Sequence, residues 1–370
     1  MQNFDLLIDP ISQSKLELYT IDTLLLKNNN EIVKTGFLYS TVSKTIFPII
    51  NGVPILLTFT TILTQNFTKE HAEIFSNSQF KSYKLANLEP MIGERSIQET
   101  FTEEWADLGN NEITFAYDEE QGIALHKDVW LRMNENEYKT KKLVLDVGCG
   151  FGKEAQYLSD IFPNSQVVAV DLNLAVIAAG ITLLETNRIF PIVASLFKLP
   201  FKDALFDHVH SQGVIHHTYS TKDAFFSIEK KVNNTGSIFI WVYAWEDSFG
   251  IKGVRGVLIH LYWFLGNRIF RPLLSRSPVF IRNAMVHIIS FLYHPLIKNR
   301  GINKDRNWSY SNTLHGVRDM FTPMFAHRLR FNEVLIWFET KNYQVQVQSP
   351  LTYEKLFAHR LLGIGYLGRK

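Results

Sequence analysis

The chain is predicted to be an α/β protein, a mostly parallel sheet with helices on both faces, and three features of the sequence predict it. The apolar run Leu143-Val144-Leu145 ends in Asp146, breaks into glycines, and continues as an amphipathic segment from Lys153 to Asp160. A second apolar run, "VVAV", ends in Asp171 about twenty residues after the glycines, a spacing of a strand–helix–strand unit. A third run, "FDHVHSQGV" (206–214), is followed by a helical segment (221–232), a turn at Asn233-Asn234-Thr235-Gly236 and a further strand, "SIFIWVYAW".

The 370 residues allow one large domain with additions, or two domains. With 46% apolar and 20% charged residues the composition is that of a globular protein, and the net charge of +2 names no partner. The single cysteine, Cys149, excludes an intrachain disulfide framework and any cysteine-built zinc site. The start, "MQNFDLLIDP", carries acids in place of a basic, apolar leader, so a cytoplasmic location is expected. No uncharged apolar run reaches the eighteen or so residues that would span a bilayer.

Taken in order, residues 1–60 carry short β-like runs, "LIDPISQSKLEL" and "GFLYSTVSKTIFPIINGVPILL". Residues 61–139 are polar and helical with scattered aromatics, a linker in which packing explains Trp105, Phe115 and Tyr117. Residues 140–246 hold the strand–helix alternation. Residues 247–330 begin with a span free of Asp and Glu between Asp247 and Asp305, which contains Lys252, Arg255, Arg268, Arg271, Arg276, Arg282, Lys298, Arg300 and Lys304. Interleaved runs such as "AMVHIISFLYHPLI" make this a basic, apolar helical insertion, and leave the rest of the chain net acidic. Three readings fit it: a helical lid that shapes a pocket, a contact with an anionic membrane, and less readily an RNA surface. In "HGVRDMFTPMFAHRLR", Asp319, Thr322, His327 and Arg328 are polar groups within reach of such a pocket. Residues 331–370 complete the sheet with a helix, "FNEVLIWFETKNY", and the period-two run "YQVQVQS" returning through "LGIGYLGRK" as a terminal β-hairpin.

The glycine loop selects its ligand by what it lacks. Gly148, Gly150 and Gly152 alternate, so the third glycine of G-x-G-x-x-G comes one residue early and Lys153 takes its place. Glu154 after Lys153 excludes the phosphate loop, which requires a hydroxyl there. Asp146 would repel a pyrophosphate but suits a ligand bearing an ammonium and a sulfonium. Asp171 accepts hydrogen bonds from ribose hydroxyls. Loop and acid together point to S-adenosylmethionine. Gln212 and Gly213 lie where a strand end meets the ligand crevice, and His216 and His217 follow. A histidine there can take a proton from an acceptor hydroxyl or amine, a contribution of roughly 10²- to 10⁴-fold, or simply bond to backbone at a turn.

The elements "VLDVGCGFG", "VVAVDLN", "LPFKDALFDHVHSQGVIHHT" and "VNNTGSIFIWVY" together resemble the class I S-adenosylmethionine-dependent methyltransferases, above all their type 11 branch. The resemblance implies a Rossmann-like, seven-stranded sheet. It implies that Gly148, Gly150 and Gly152 line the methionine moiety, that Asp171 holds the ribose and that Leu172 packs on the adenine. Cys149, Leu196, Gln212 and Gly213 complete the expected cofactor set with Asp146. The resemblance also implies that the segment 61–139 caps the cofactor site and that Trp105, Phe115 and Tyr117 line it. Ser195 stands where the family commonly has an Asp for the adenine amino group, a change that weakens binding by on the order of 1 kcal/mol. Residues 1–60 resemble a small zinc-ribbon activator of tRNA methyltransferases. The cysteine places of that pattern hold Asp9, Ser12, Ser40 and Ser43, so no metal is expected.

The sequence therefore predicts a methyltransferase acting on O or N of a small-molecule or lipid-linked acceptor, cytoplasmic and peripheral at the membrane through residues 250–300. RNA base methylation and a non-catalytic scaffold are the alternatives.

Overall fold

The structure is a computed structural model that describes residues 2–106, 118–245, 264–298, 308–357 and 363–370, with Val257, Leu261 and Leu361 between them. Phe115, Tyr117, Asp247, Lys252, Arg255, Arg300, Lys304 and Asp305 lie outside the described residues.

The first strands, β1 (Glu17–Leu25), β2 (Glu31–Ser40), β3 (Thr45–Ile50) and β4 (Val53–Pro54), form an antiparallel meander, joined by the short β5 (Lys84–Leu85). Its core is Phe37, Ile46, Phe67 and Phe80, with the Phe37 and Phe80 rings edge-to-face at 5.0 Å. Asp9, Ser12, Ser40 and Ser43 come together here in one hydrogen-bonded cluster with Ser14. Asp9 accepts from the Ser12 hydroxyl and, at 2.9 Å, from the Ile11 amide. Ser12 meets Ser14 at 2.8 Å, Ser14 meets Ser40 at 3.1 Å, and the Ser43 amide donates to Ser40 Oγ at 3.2 Å. Burial pushes the Asp9 carboxyl up, but hydrogen bonds from Ser12, Ser43, Ile11 and Ser40 outweigh it and hold the pKa below the ordinary value. A lowered folded pKa means the stabilisation is complete above pH ~3.9 and is lost as pH falls through the folded value. Asp9→Ala is expected to leave several hydroxyls and one amide without an acceptor, at a cost of about 1–3 kcal/mol, read as a fall in thermal midpoint.

The second sheet has seven strands in the order β11-β12-β10-β9-β6-β7-β8. They are β6 (Leu143–Val147), β7 (Gln166–Asp171), β8 (Ile189–Val193), β9 (Phe206–Gln212), β10 (Val232–Val242), β11 (Gln344–Val347) and β12 (Ile364–Arg369). β6 to β10 pair in parallel, and β12 runs antiparallel between β10 and β11. Parallel strands covered on both faces need apolar side chains on both. Leu145, Val168, Phe190, Val209 and Ile240 pack on one side, and Val144, Val167, Ala169, Ile189 and Phe239 on the other. The amino-terminal module is seated on the β8 edge: Ile55 bridges Val193 and the Leu56 amide donates to the Val193 carbonyl at 2.7 Å. That covers an otherwise open sheet edge.

Two local expectations differ. Residues 233–236 are no turn between helix and strand. β10 already begins at Val232, and its pairing with β9 slips between Val232 and Ser237, so the polar tetrapeptide is an irregularity inside the strand. β11 and β12 are antiparallel neighbours but form no hairpin, because the helix Pro350–Phe357 intervenes.

The chain runs β6-β7-β8 outward, then returns to place β9 on the other side of β6. Strand order reverses between β6 and β9, and their carboxyl ends open a crevice. Helices Glu94–Ala106 and Tyr310–Phe321 lie over it, and the helix Val279–Ile297 packs against the second of them.

Candidate cofactor and acceptor site

At the carboxyl ends of β6, β7 and β9 lies a cavity of about 440 Å³. Its wall includes Gly148, Cys149, Asp171, Leu172, Ser195, Leu196, Gln212, Gly213 and His217, which the sequence had singled out. Trp105, raised as a cap residue, also lines it.

The loop is tied to β7 before any ligand arrives. The Gly148 and Cys149 amides donate to the Val170 carbonyl, and the Gly150 amide to Asp171 Oδ2 at 2.7 Å. The Asn173 amide donates to Asp171 Oδ1 at 2.9 Å. Burial raises the Asp171 carboxyl above its ordinary value, opposed by the amides of Asn173 and Gly150. All three loop glycines have positive φ, between +54° and +87°. A Cβ at Gly148 would come within 2.1 Å of Val214, and one at Gly152 within 2.6 Å of Leu183, so packing as well as backbone conformation demands glycine.

Four expected residues do not reach the cavity wall. Gly152 starts the helix Lys153–Ile161 and faces Leu183, while Gly150 is covered by the Trp105 indole, 2.4 Å from where its Cβ would be. Asp146 points into the core beneath the loop, 1% exposed, and its Oδ2 has no hydrogen-bond partner. Burial first, then the Glu154 and Asp171 carboxylates, push its pKa well up. Side chains alternate along β6, and Val147 rather than Asp146 is the one that reaches the cavity wall. His216 is likewise fully buried and packs its ring 3.9 Å from Tyr243, and burial holds its pKa well below the ordinary histidine value.

The wall is acidic. Among the described residues, Glu94, Glu104, Glu154, Asp171 and Asp319 line it against a single Lys or Arg, Lys153. Such a surface suits a cationic ligand and disfavours a pyrophosphate. Gly213, at φ +75°, has nothing within 4 Å of where its Cβ would be, so its backbone stands bare to the cavity. Ser195 Oγ accepts the Phe197 amide at 3.1 Å and shapes the turn after β8, with Phe197 on the wall. These features fit S-adenosylmethionine.

At the other end, His217 Nδ1 lies 2.8 Å from the Phe325 carbonyl, so Nδ1 carries the hydrogen. Nε2 then faces Asp319 Oδ1 at 3.3 Å. The Tyr243 hydroxyl donates to Asp319 Oδ2 at 2.8 Å. Burial alone would raise the Asp319 pKa, but His217 and Tyr243 together hold it low. Burial and the Asp319 charge push Tyr243 well up, which keeps it a donor. Of the polar groups flagged in residues 315–330, only Asp319 reaches the main cavity. Thr322 bonds to the Arg318 carbonyl, His327 to the Thr218 carbonyl, and Arg328 to the Ala244 carbonyl. A second cavity of about 230 Å³ shares Trp241, Tyr243 and Asp319 with the first and is lined by Arg271 and Arg328. The aromatic lining by Phe101, Trp241 and Tyr243 carried no sequence signal, because it is assembled from separate elements.

The sequence comparisons agree with this geometry. Residues 145–240 match the family model described as "Methyltransferase domain". A malonyl-[acyl-carrier protein] O-methyltransferase of Legionella pneumophila is 30% identical over 138 residues, 35% of this chain and 49% of that protein. A human protein named "Probable tRNA methyltransferase 9B" is 32% identical over 129 residues, 33% of this chain and 26% of that protein. The chain thus spans about half or less of the length of these curated relatives. A Burkholderia thailandensis 1,6-didemethyltoxoflavin-N1-methyltransferase, solved with 1,6-didemethyltoxoflavin and S-adenosylhomocysteine, aligns over 78% of this chain and 92% of its own. Its identity is 12% and its TM-score 0.42, a level at which no functional detail transfers. The strand-end cavity therefore belongs to a class I methyltransferase domain, and the cofactor of that domain is S-adenosylmethionine.

Proposed function

We propose that the protein transfers the methyl group of S-adenosylmethionine to O or N of a small or lipid-linked acceptor. Asp171 and the glycine loop hold the cofactor in this reading, with Leu172 and Leu196 on its adenine side. When bound, the cofactor supplies an electrophilic methyl on a sulfonium. The chain supplies position, which an in-line displacement needs most. The observation that carries the reading is the grouping of His217, Asp319 and Tyr243 on the wall of the same cavity as Asp171. It can accept a proton from a hydroxyl or amine and share it within a buried network. The adjoining cavity with Arg271 and Arg328 suits an acceptor with an anionic group.

The lipid-linked part rests on the insertion. Phe280 is 73% exposed, Phe291 71% and Leu292 66%, and Ile288 and Leu296 are also exposed along the helix Val279–Ile297. Arg268, Arg276 and Lys298 are exposed in the same acid-free span. Its other described cations turn inward. Arg282 binds Glu103 at 2.6 Å and Arg271 bonds to backbone carbonyls, so the basic character seen in sequence is partly neutralised inside. An apolar face ringed by the remaining cations matches an anionic bilayer surface, at about 1.5–3 kcal/mol for each large side chain buried. Among the described residues no helix is long and apolar enough to cross a membrane.

Flotation with anionic vesicles tests this. The protein is expected to float, and Phe280→Ser with Phe291→Ser and Leu292→Ser to remain at the bottom. In parallel, tritium from labelled cofactor is expected in a lipid or small-molecule extract. Label confined to RNA would replace this acceptor class with the RNA one.

A further inference from the structure

Beneath the glycine loop, three side chains from three elements point at one another. His126 comes from the π-helical turn Leu125–Leu131, Glu154 from the first turn of the helix Lys153–Ile161, and His210 from the middle of β9. All three are buried, and one ligand atom from each lies within 4.8 Å of the other two.

Their polar atoms lack ordinary partners. His126 Nδ1 lies 2.8 Å from the Gly122 carbonyl and so carries its hydrogen, which turns the Nε2 lone pair toward Glu154. That atom meets Glu154 Oε2 at 2.5 Å, yet neither takes part in a hydrogen bond of acceptable angle. Both nitrogens of His210 are unpartnered, its ring stacked on Phe239 at 4.8 Å and beside His126 at 5.3 Å. A lone pair against a carboxylate is repulsive unless a cation lies between them. Buried polar groups left in this state cost about 1–3 kcal/mol each.

We propose that His126, Glu154 and His210 bind one divalent transition-metal ion of the zinc class. Two imidazoles and a carboxylate are a usual donor set for such an ion, and the Gly122 carbonyl behind His126 is the outer partner that fixes its tautomer. Ligand atoms around zinc stand roughly 3.3–3.5 Å apart, so binding would part His126 from Glu154 and draw His210 inward, each by an ångström or so. Glu154 also lines the main cavity, which gives the ion a route in. The ion would fasten the cap helix, the helix behind the glycine loop and β9 to one point. It has no part in methyl transfer, and its failure leaves the proposed function standing.

The test is metal content and spectroscopy on the full chain, prepared without an affinity tag of histidines. After incubation with Zn²⁺ and dialysis, elemental analysis is expected to find about one ion per chain. Co²⁺ is expected to give visible absorption of a low-symmetry nitrogen–oxygen site. His210→Asn and Glu154→Gln should each lose at least ten-fold in affinity, and chelation of the wild type should lower its thermal midpoint. If His210→Asn fails to fold, the chelation and cobalt results on wild type decide. Absence of bound metal and of cobalt bands in folded wild type, with no shift on chelation, would overturn the proposal in favour of a proton shared by His126 and Glu154.

Discussion

Asp171→Ala is expected to reduce S-adenosylhomocysteine binding by about 10²-fold or more, measured by calorimetry on folded protein. The carboxylate does two things at once. It accepts from the Gly150 and Asn173 amides at 2.7 and 2.9 Å, which joins the loop to the end of β7, and it faces the cavity. Alanine leaves two amides unpaired and removes the acceptor for the nucleoside's hydroxyls. Hydrogen bonds to a charged group contribute about 1.5–3 kcal/mol each, so losing one toward the ligand and loosening the loop gives the stated loss. Asp171→Asn should fall between, since it retains an acceptor but no charge. Wild-type affinity in a folded Asp171→Ala protein would show that the nucleoside is held elsewhere, and the reading of the cavity would fail with it.

Asp319→Asn should separate cofactor binding from turnover. The turnover rate with the acceptor identified by label transfer is expected to fall by roughly 10²-fold or more. S-adenosylhomocysteine affinity should stay within about three-fold, because Asp319 is bonded to Tyr243 and faces His217 rather than Asp171 or the glycine loop. The physical cause is the loss of a charge that His217 and Tyr243 both address, at 3.3 and 2.8 Å. With an amide there, His217 Nε2 loses the charged neighbour that it faces, and the pH dependence of turnover should change shape. A purely structural role would lower thermal stability while leaving that pH profile as it is. Unchanged turnover would remove the array from the reaction.

These two carboxylates differ in how readable they were. Asp171 stands at a fixed distance after the glycines, at the end of an apolar run, and local spacing is enough to find it. Asp319 was one polar group among several in a segment of no clear periodicity. Only the packing of the helix Tyr310–Phe321 over the crevice separates it from Thr322 and His327, which bond to backbone carbonyls, and from Arg328, which lines the second cavity.

Asp146 and His216 show the opposite failure. Each stands in the right place along the chain and faces the wrong way. Residue order fixes which strand end a group belongs to, whereas the direction of a side chain depends on the local pleat and on its neighbours. For His216 the Tyr243 ring, from the end of another strand, packs against it at 3.9 Å. The cluster of His126, Glu154 and His210 was invisible for the same reason. Its members are separated by 28 and 56 positions in sequence, and no short spacing joins them.

The sequence by itself determined the α/β class, the strand that carries the glycine loop, the acid at the end of the next strand and the acid-free insertion. All four are local patterns of burial, conformation and charge. The tertiary structure alone decided that the terminal strands are separated by a helix, that two of the insertion's cations turn inward to Glu103 and backbone carbonyls, and that an acidic wall closes around the crevice. Those features are contacts between distant segments, and their energies exist only once the segments have been brought together.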